Sequence, residues 1–96
     1  MIDLSPKHLE TVREILKYHL PVCEVRVFGS RIKGTAKSYS DLDIALVCKE
    51  KIQRKKLHEI REAFEESDLP IRIDIIDFNA ISKEFQEVIC QKYEVL

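Results

Sequence analysis

Only two glycines occur in the 96-residue chain, and both fall inside the six-residue stretch Gly29 to Gly34. A chain this poor in glycine has few positions for a positive-φ turn, so their closeness marks one place where the backbone must do something unusual. Tryptophan is absent and aromatics are 7%, with none interleaved among the basic residues in the way that stacks on bases. Neither charge dominates: the net charge is −1, which leaves no global basic field to steer the chain onto nucleic acid, and direct nucleic-acid binding is not expected. No apolar run approaches membrane-spanning length, and no targeting segment is recognisable, so the expected setting is the cytoplasm without a membrane. Cysteines are three, Cys23, Cys48 and Cys90, an odd and widely spaced set. That suits neither a disulfide framework nor a zinc site, and they are expected to be small core-filling side chains in a reducing compartment.

What remains is ordinary globular material, 45% hydrophobic and 34% charged, sufficient for one domain over residues 1–96. Ser5-Pro6 opens a helix, and Leu9, Val12, Leu16 and Leu20 recur at helical spacing until Pro21. The stretch CEVRVFG alternates as a strand. SRIKGTAKSY is a polar connector with room for a short helix, and DLDIALVC reads as a second strand. A charged helix follows over about Ile52 to Glu66, with Leu57, Ile60 and Phe64 on one side. Pro70 precedes a third strand, IRIDIIDF, and Asn79 is expected to cap a last helix carrying Ile81, Phe85, Val88 and Ile89. The expectation is α+β (α/β): a small mixed sheet, helices packed on one face, and acids on the other.

Those acids are the informative residues. Leu42, Ile44 and Leu46 alternate with Asp41, Asp43 and Ala45, and Ile71, Ile73 and Ile75 alternate with Arg72 and Asp74. Asp41, Asp43 and Asp74 therefore share the non-core face. Aspartate is depleted in strands, and paired carboxylates repel each other when desolvated unless a cation such as magnesium sits between them. The Gly29-Ser30 turn after the first strand suits close approach of a phosphate, with Arg31 and Lys33 adding charge nearby. Either feature alone is common in proteins without this chemistry. Asp77 falls on the opposite strand face from Asp74. His8, His19 and His58 lack metal-ligand spacing, and the basic run from Lys49 to Lys56 reads as a solvated helix start.

The stretch FGSRIKGTAKSYSDLDIAL, with Gly29-Ser30 placed ten residues before Asp41-Leu42-Asp43, resembles the signature of the DNA polymerase beta-type nucleotidyltransferases, most closely the minimal nucleotidyltransferases. RIDIIDF is similar to the strand that carries the third acid of that family. The resemblance, covering about Val25 to Phe78, implies a polymerase beta-like fold. It also implies two magnesium ions held by Asp41, Asp43 and Asp74, with ATP as substrate. Gly29 and Ser30 would contact the β- and γ-phosphates, with Arg31 and Ser40 joining the nucleotide site. It further implies transfer of AMP onto a hydroxyl, recognised through a separate HEPN-like helical toxin or another copy of the chain, so that the protein acts as an antitoxin. The alternative is a non-catalytic binding module that neutralises or scaffolds its partner.

Overall fold

The first helix, α1 (Pro6–His19), starts where Ser5 accepts a hydrogen bond from the His8 amide at 3.3 Å and Pro6 supplies a preset φ. It ends where the Leu20 amide donates to Leu16. In the computed structural model, which describes residues 1–96, β1 (Glu24–Phe28) follows, then the single-turn α2 (Ser30–Lys33), β2 (Leu42–Val47), α3 (Arg54–Glu65) and β3 (Ile73–Asp77). A 3₁₀ turn over Phe78–Ala80, the helix α4 (Lys83–Gln91) and a short β4 (Glu94–Val95) complete the chain.

The sheet has the order β3-β2-β1-β4, with β1 antiparallel to β2 and β4, and β2 parallel to β3. It is mixed because α3 crosses over between β2 and β3, whereas a polar loop returns the chain from β1 to β2. Register aligns Val27, Ile44 and Ile75 across three strands, and Leu42 with Ile73. These aliphatic residues form one buried face that packs with Val12 and Leu16 of α1 and Ile60 and Phe64 of α3. Each fully buried leucine or isoleucine there contributes about 1.5–3 kcal/mol. The acids lie on the opposite face, as the alternation requires.

That second face is not bare. Phe85 of α4 meets Phe28 of β1 edge to face at 6.0 Å between ring centroids, and Arg26 lies over the Phe78 and Tyr93 rings. Ala45 on this face is fully buried, whereas Asp74 is exposed and Asp41 and Asp43 are half-buried.

Two local expectations are corrected, and one element is added. Cys23 and Cys48 are joined in a disulfide, because the antiparallel pairing of Glu24 with Val47 sets the next residues of the two strands side by side; only Cys90 is free, and it is exposed rather than core-filling. Asn79 does not cap the last helix. Ser82 does, accepting from the Phe85 amide at 3.1 Å, while the Asn79 side chain donates to the Cys48 carbonyl at 2.7 Å. Finally, Glu94–Val95 adds an edge strand that two residues of weak pattern do not signal.

Asp77 is buried and accepts from the Ile52 amide at 2.7 Å and the Asn79 amide at 3.0 Å. It ties the start of α3 to the end of β3. Asp77→Ala leaves both amides without that partner, and a loss of about 1–3 kcal/mol per unsatisfied group is expected in denaturant unfolding, with the acid row intact.

Candidate active site

The open end of the sheet is built from the last residue of β1, the α2 turn, the first residues of β2 and the first residues of β3. Register sets Phe28 opposite Asp43 and Asp43 opposite Asp74, so these side chains stand in one row across three strands. Asp41 precedes β2 by one residue, and the adjoining Leu42 amide donates to the Arg72 carbonyl at 3.0 Å. Asp74 is exposed, whereas Asp41 and Asp43 are half-buried.

Gly29 occupies φ 84°, ψ −157°, a region essentially reserved for glycine. A side chain there would also overlap the Asp43 Oδ2. The turn therefore passes its backbone directly against the Asp43 carboxylate, and Ser30 opens α2 beside it. Gly34 serves another purpose. At φ 81° it ends α2, its amide donating to Ser30, with open space where a Cβ would stand. The two glycines bracket one helical turn, and only the first touches the acids.

Burial pushes the Asp43 carboxyl above its usual range, and the charges of Asp74 and then Asp41 push it further. The native state thus binds a proton at Asp43 more readily than the unfolded chain does. Stability from this group is complete at low pH and is lost as pH rises through the raised native pKa. At neutral pH and without divalent cations, Asp43→Asn is expected to raise the melting temperature by a few degrees. The gain should vanish below about pH 4, where both forms are neutral, and a melting series across about pH 4–8 in EDTA measures it.

The donor set fits a hard divalent cation: three carboxylates, one of them desolvated and repelled by the other two. No three acidic, imidazole or thiolate side chains converge into a ready-made cage.

Other residues singled out in the sequence lie elsewhere. Arg31 is buried, with its guanidinium donating to main-chain carbonyls of the loop between α2 and β2 and of Asp3 before α1. The Ser40 hydroxyl accepts from the Lys37 amide at 2.8 Å, and Tyr39 is exposed on the same loop. His58 pairs with Glu62 on α3 at 3.3 Å. The basic run begins past the far end of β2, about 20 Å from Asp41 at strand rise. Sequence reasoning missed the aromatic wall of Phe28 and Phe85 beside Gly29. Together with Val88, Lys33 and Lys92 it lines a concavity of about 260 Å³, and only the position of Phe28 next to Gly29 hinted at it.

A mixed sheet that presents strand-borne acids beside a Gly-Ser turn is the framework of a nucleotidyltransferase, and the comparisons with known proteins agree. The family described as "Polymerase beta, Nucleotidyltransferase" matches residues 10–96, and the chain belongs to it. Over 95 residues it is 41% identical to the "Probable protein adenylyltransferase MntA" of Haemophilus influenzae, spanning 99% of this chain and 83% of that one. The fold is similar to a crystal structure of a toxin-antitoxin with AMP-PNP, at TM-score 0.77 and 21% identity, covering 90% of this chain and 69% of the other. It is also similar to a spectinomycin adenyltransferase of Enterococcus faecialis solved with ATP and spectinomycin, at TM-score 0.59 and 18% identity, covering 96% of this chain and 48% of the other. No helix is long and apolar enough to cross a membrane.

Proposed function

We propose that this chain is a magnesium-dependent adenylyltransferase that moves AMP from ATP onto a hydroxyl of a partner protein, a helical HEPN-type toxin that it thereby silences. The observation that carries the reading is the close packing of the Gly29 backbone against Asp43, in register with Asp74 and beside Asp41. It sets a backbone turn directly against a row of carboxylates, none of which has an ion-pair partner. The adenylyl donor and the antitoxin role are supported by the name of the Haemophilus relative and by the toxin-antitoxin structure with AMP-PNP that shares the fold.

Asp41, Asp43 and Asp74 would hold two magnesium ions, whose chemistry is to neutralise the triphosphate and the charge that develops on the entering and leaving oxygens. Gly29 and Ser30 face the β- and γ-phosphates: the glycine lets the backbone come close, and the serine adds a hydroxyl. Asp74, the exposed acid, accepts the proton of the attacking hydroxyl on its carboxylate. The hydroxyl oxygen then bonds to the α-phosphorus in line, and the bond from that phosphorus to pyrophosphate breaks.

Calorimetric titration with a non-hydrolysable ATP analogue tests the donor site without needing an acceptor. Binding is expected in magnesium and at least tenfold weaker in EDTA, since the acid row then repels the triphosphate. Equal binding in both buffers would contradict the metal role. No binding in either would leave the chain as a partner-binding module without nucleotide chemistry.

A further inference from the structure

We infer that Arg31 is a positioning residue for Asp41: its buried guanidinium fixes the loop that delivers this acid to the row, and it does not serve as a phosphate ligand. The inference rests on the transferase reading for what Asp41 does, and departs from the nucleotide-binding role that the family resemblance assigns to Arg31.

Arg31 is 6% exposed and has no carboxylate partner among the ion pairs. Its hydrogen bonds all go to main-chain carbonyls. Nε and Nη2 both donate to Ser40, at 3.1 and 2.9 Å; Nη2 also reaches Lys37 and Ser38, each at 3.2 Å; and Nη1 donates to Asp3 at 2.6 Å. The Arg31 carbonyl in turn accepts from the Asp3 amide at 2.8 Å, so the segment before α1 is clipped to the same residue. A planar fork with five N–H donors can span carbonyls that converge from two segments; an ammonium, a single point of charge, cannot.

The residue most tightly held is Ser40, and its carbonyl belongs to the peptide unit that ends at the Asp41 nitrogen. Two donors of one planar group fix the orientation of that peptide. The next unit is fixed as well, because the Leu42 amide donates to the Arg72 carbonyl, just before β3, at 3.0 Å. Asp41 is therefore pinned between two immobilised peptides although it lies outside the strand. The rest of the loop is held by little else: Lys37, Ser38 and Tyr39 carry few other bonds, and the Ser40 hydroxyl and amide bond back to Lys37 at 2.8 and 3.0 Å. Each guanidinium nitrogen already donates to a main-chain carbonyl of the loop or of Asp3, and the exposed cations lining the concavity beside the Gly29 turn are Lys33 and Lys92.

The test compares wild type, Arg31→Lys, Ser40→Ala and Asp41→Asn in three measurements: amide hydrogen exchange, calorimetric titration with Mn²⁺ in the absence of nucleotide, and transfer kinetics. Arg31→Lys keeps a positive charge. It should speed exchange at residues 37–42 while amides of β1 and α3 keep their protection. Affinity for Mn²⁺ and kcat should both fall by about 10–100-fold, the usual cost of losing a group that orients a ligand. Ser40→Ala keeps the carbonyl that Arg31 holds and loses only the hydroxyl's bond with the Lys37 amide, so it should move all three readings the same way by less. If Arg31→Lys does not fold, Arg31→Gln takes its place in the same measurements. Unchanged loop exchange and Mn²⁺ affinity with a raised KM for ATP would overturn the inference and return Arg31 to the phosphates. A separate failure is visible in Asp41→Asn: unchanged Mn²⁺ affinity there would remove Asp41 from the metal site, while the exchange result still decides whether Arg31 holds the loop.

Discussion

Asp41→Asn combined with Asp43→Asn is expected to abolish nucleotidyl transfer, by about 10³-fold or more, while leaving the fold intact. The magnitude follows from the several kcal/mol that metal-held charge contributes to such a transition state, at tenfold in rate per about 1.36 kcal/mol. The two amides have the size of the carboxylates they replace but carry no charge. The row therefore loses its repulsion and, under the proposed magnesium role, its hold on a cation. The pairing of Asp43 with Phe28 and Asp74 uses backbone groups and survives the change. A second signature separates lost chemistry from lost structure. Magnesium should raise the melting temperature of the wild type, because a ligand bound only by the native state stabilises it. In the double variant that rise should disappear, and the metal-free melting temperature should match or exceed that of the wild type. Transfer at wild-type rate by the double variant would end the metal-site account.

Gly29→Ala should be nearly as damaging, for a different physical reason. At φ 84°, ψ −157° an alanine costs about 1–3 kcal/mol in backbone strain alone. Its methyl group would also occupy the space of the Asp43 Oδ2. Either the turn or the carboxylate must shift, and a displacement of about 1 Å at reacting groups can cost about 10²-fold in rate. Gly34→Ala is the control. It meets the left-handed penalty of about 1–2 kcal/mol but no neighbour within 4 Å. Both variants should melt lower, by roughly 4–8 °C per kcal/mol in a domain of this size. Only Gly29→Ala should lose activity in the fraction that remains folded. Equal activity losses would mean that the turn matters only for stability.

The strand faces were legible because Leu42, Ile44 and Leu46 alternate with Asp43, and Ile73 and Ile75 flank Asp74, so that a one-residue slip would have turned those acids into the core. For the same reason Asp77 could be separated from Asp74 by alternation alone. Helix α1 was legible from Ser5, Pro6 and its apolar spacing. What stayed hidden depended on contacts between distant segments. The Cys23–Cys48 bond follows from strand pairing, which cysteine count and spacing do not encode. The short β4 is made by pairing with Arg26 and Val27 rather than by its own two residues. Arg31 is the sharpest case. Beside a Gly-Ser turn an arginine reads as a phosphate ligand, and only the three-dimensional convergence of the Asp3, Lys37, Ser38 and Ser40 carbonyls reveals where its donors go. In the site itself, the types and common face of the acids were readable, but the contact between Gly29 and Asp43 was not, because it joins a turn to the neighbouring strand.

The most direct measurement incubates the purified chain with magnesium, α-labelled ATP and the proposed helical toxin partner, sought among the products of neighbouring genes, and follows label into protein. The account requires label on the toxin with the wild type, none with the Asp41→Asn, Asp43→Asn pair, and release of pyrophosphate in step with labelling. Toxin neutralised equally by both forms, with no label on either, would contradict it and make the chain a binding module.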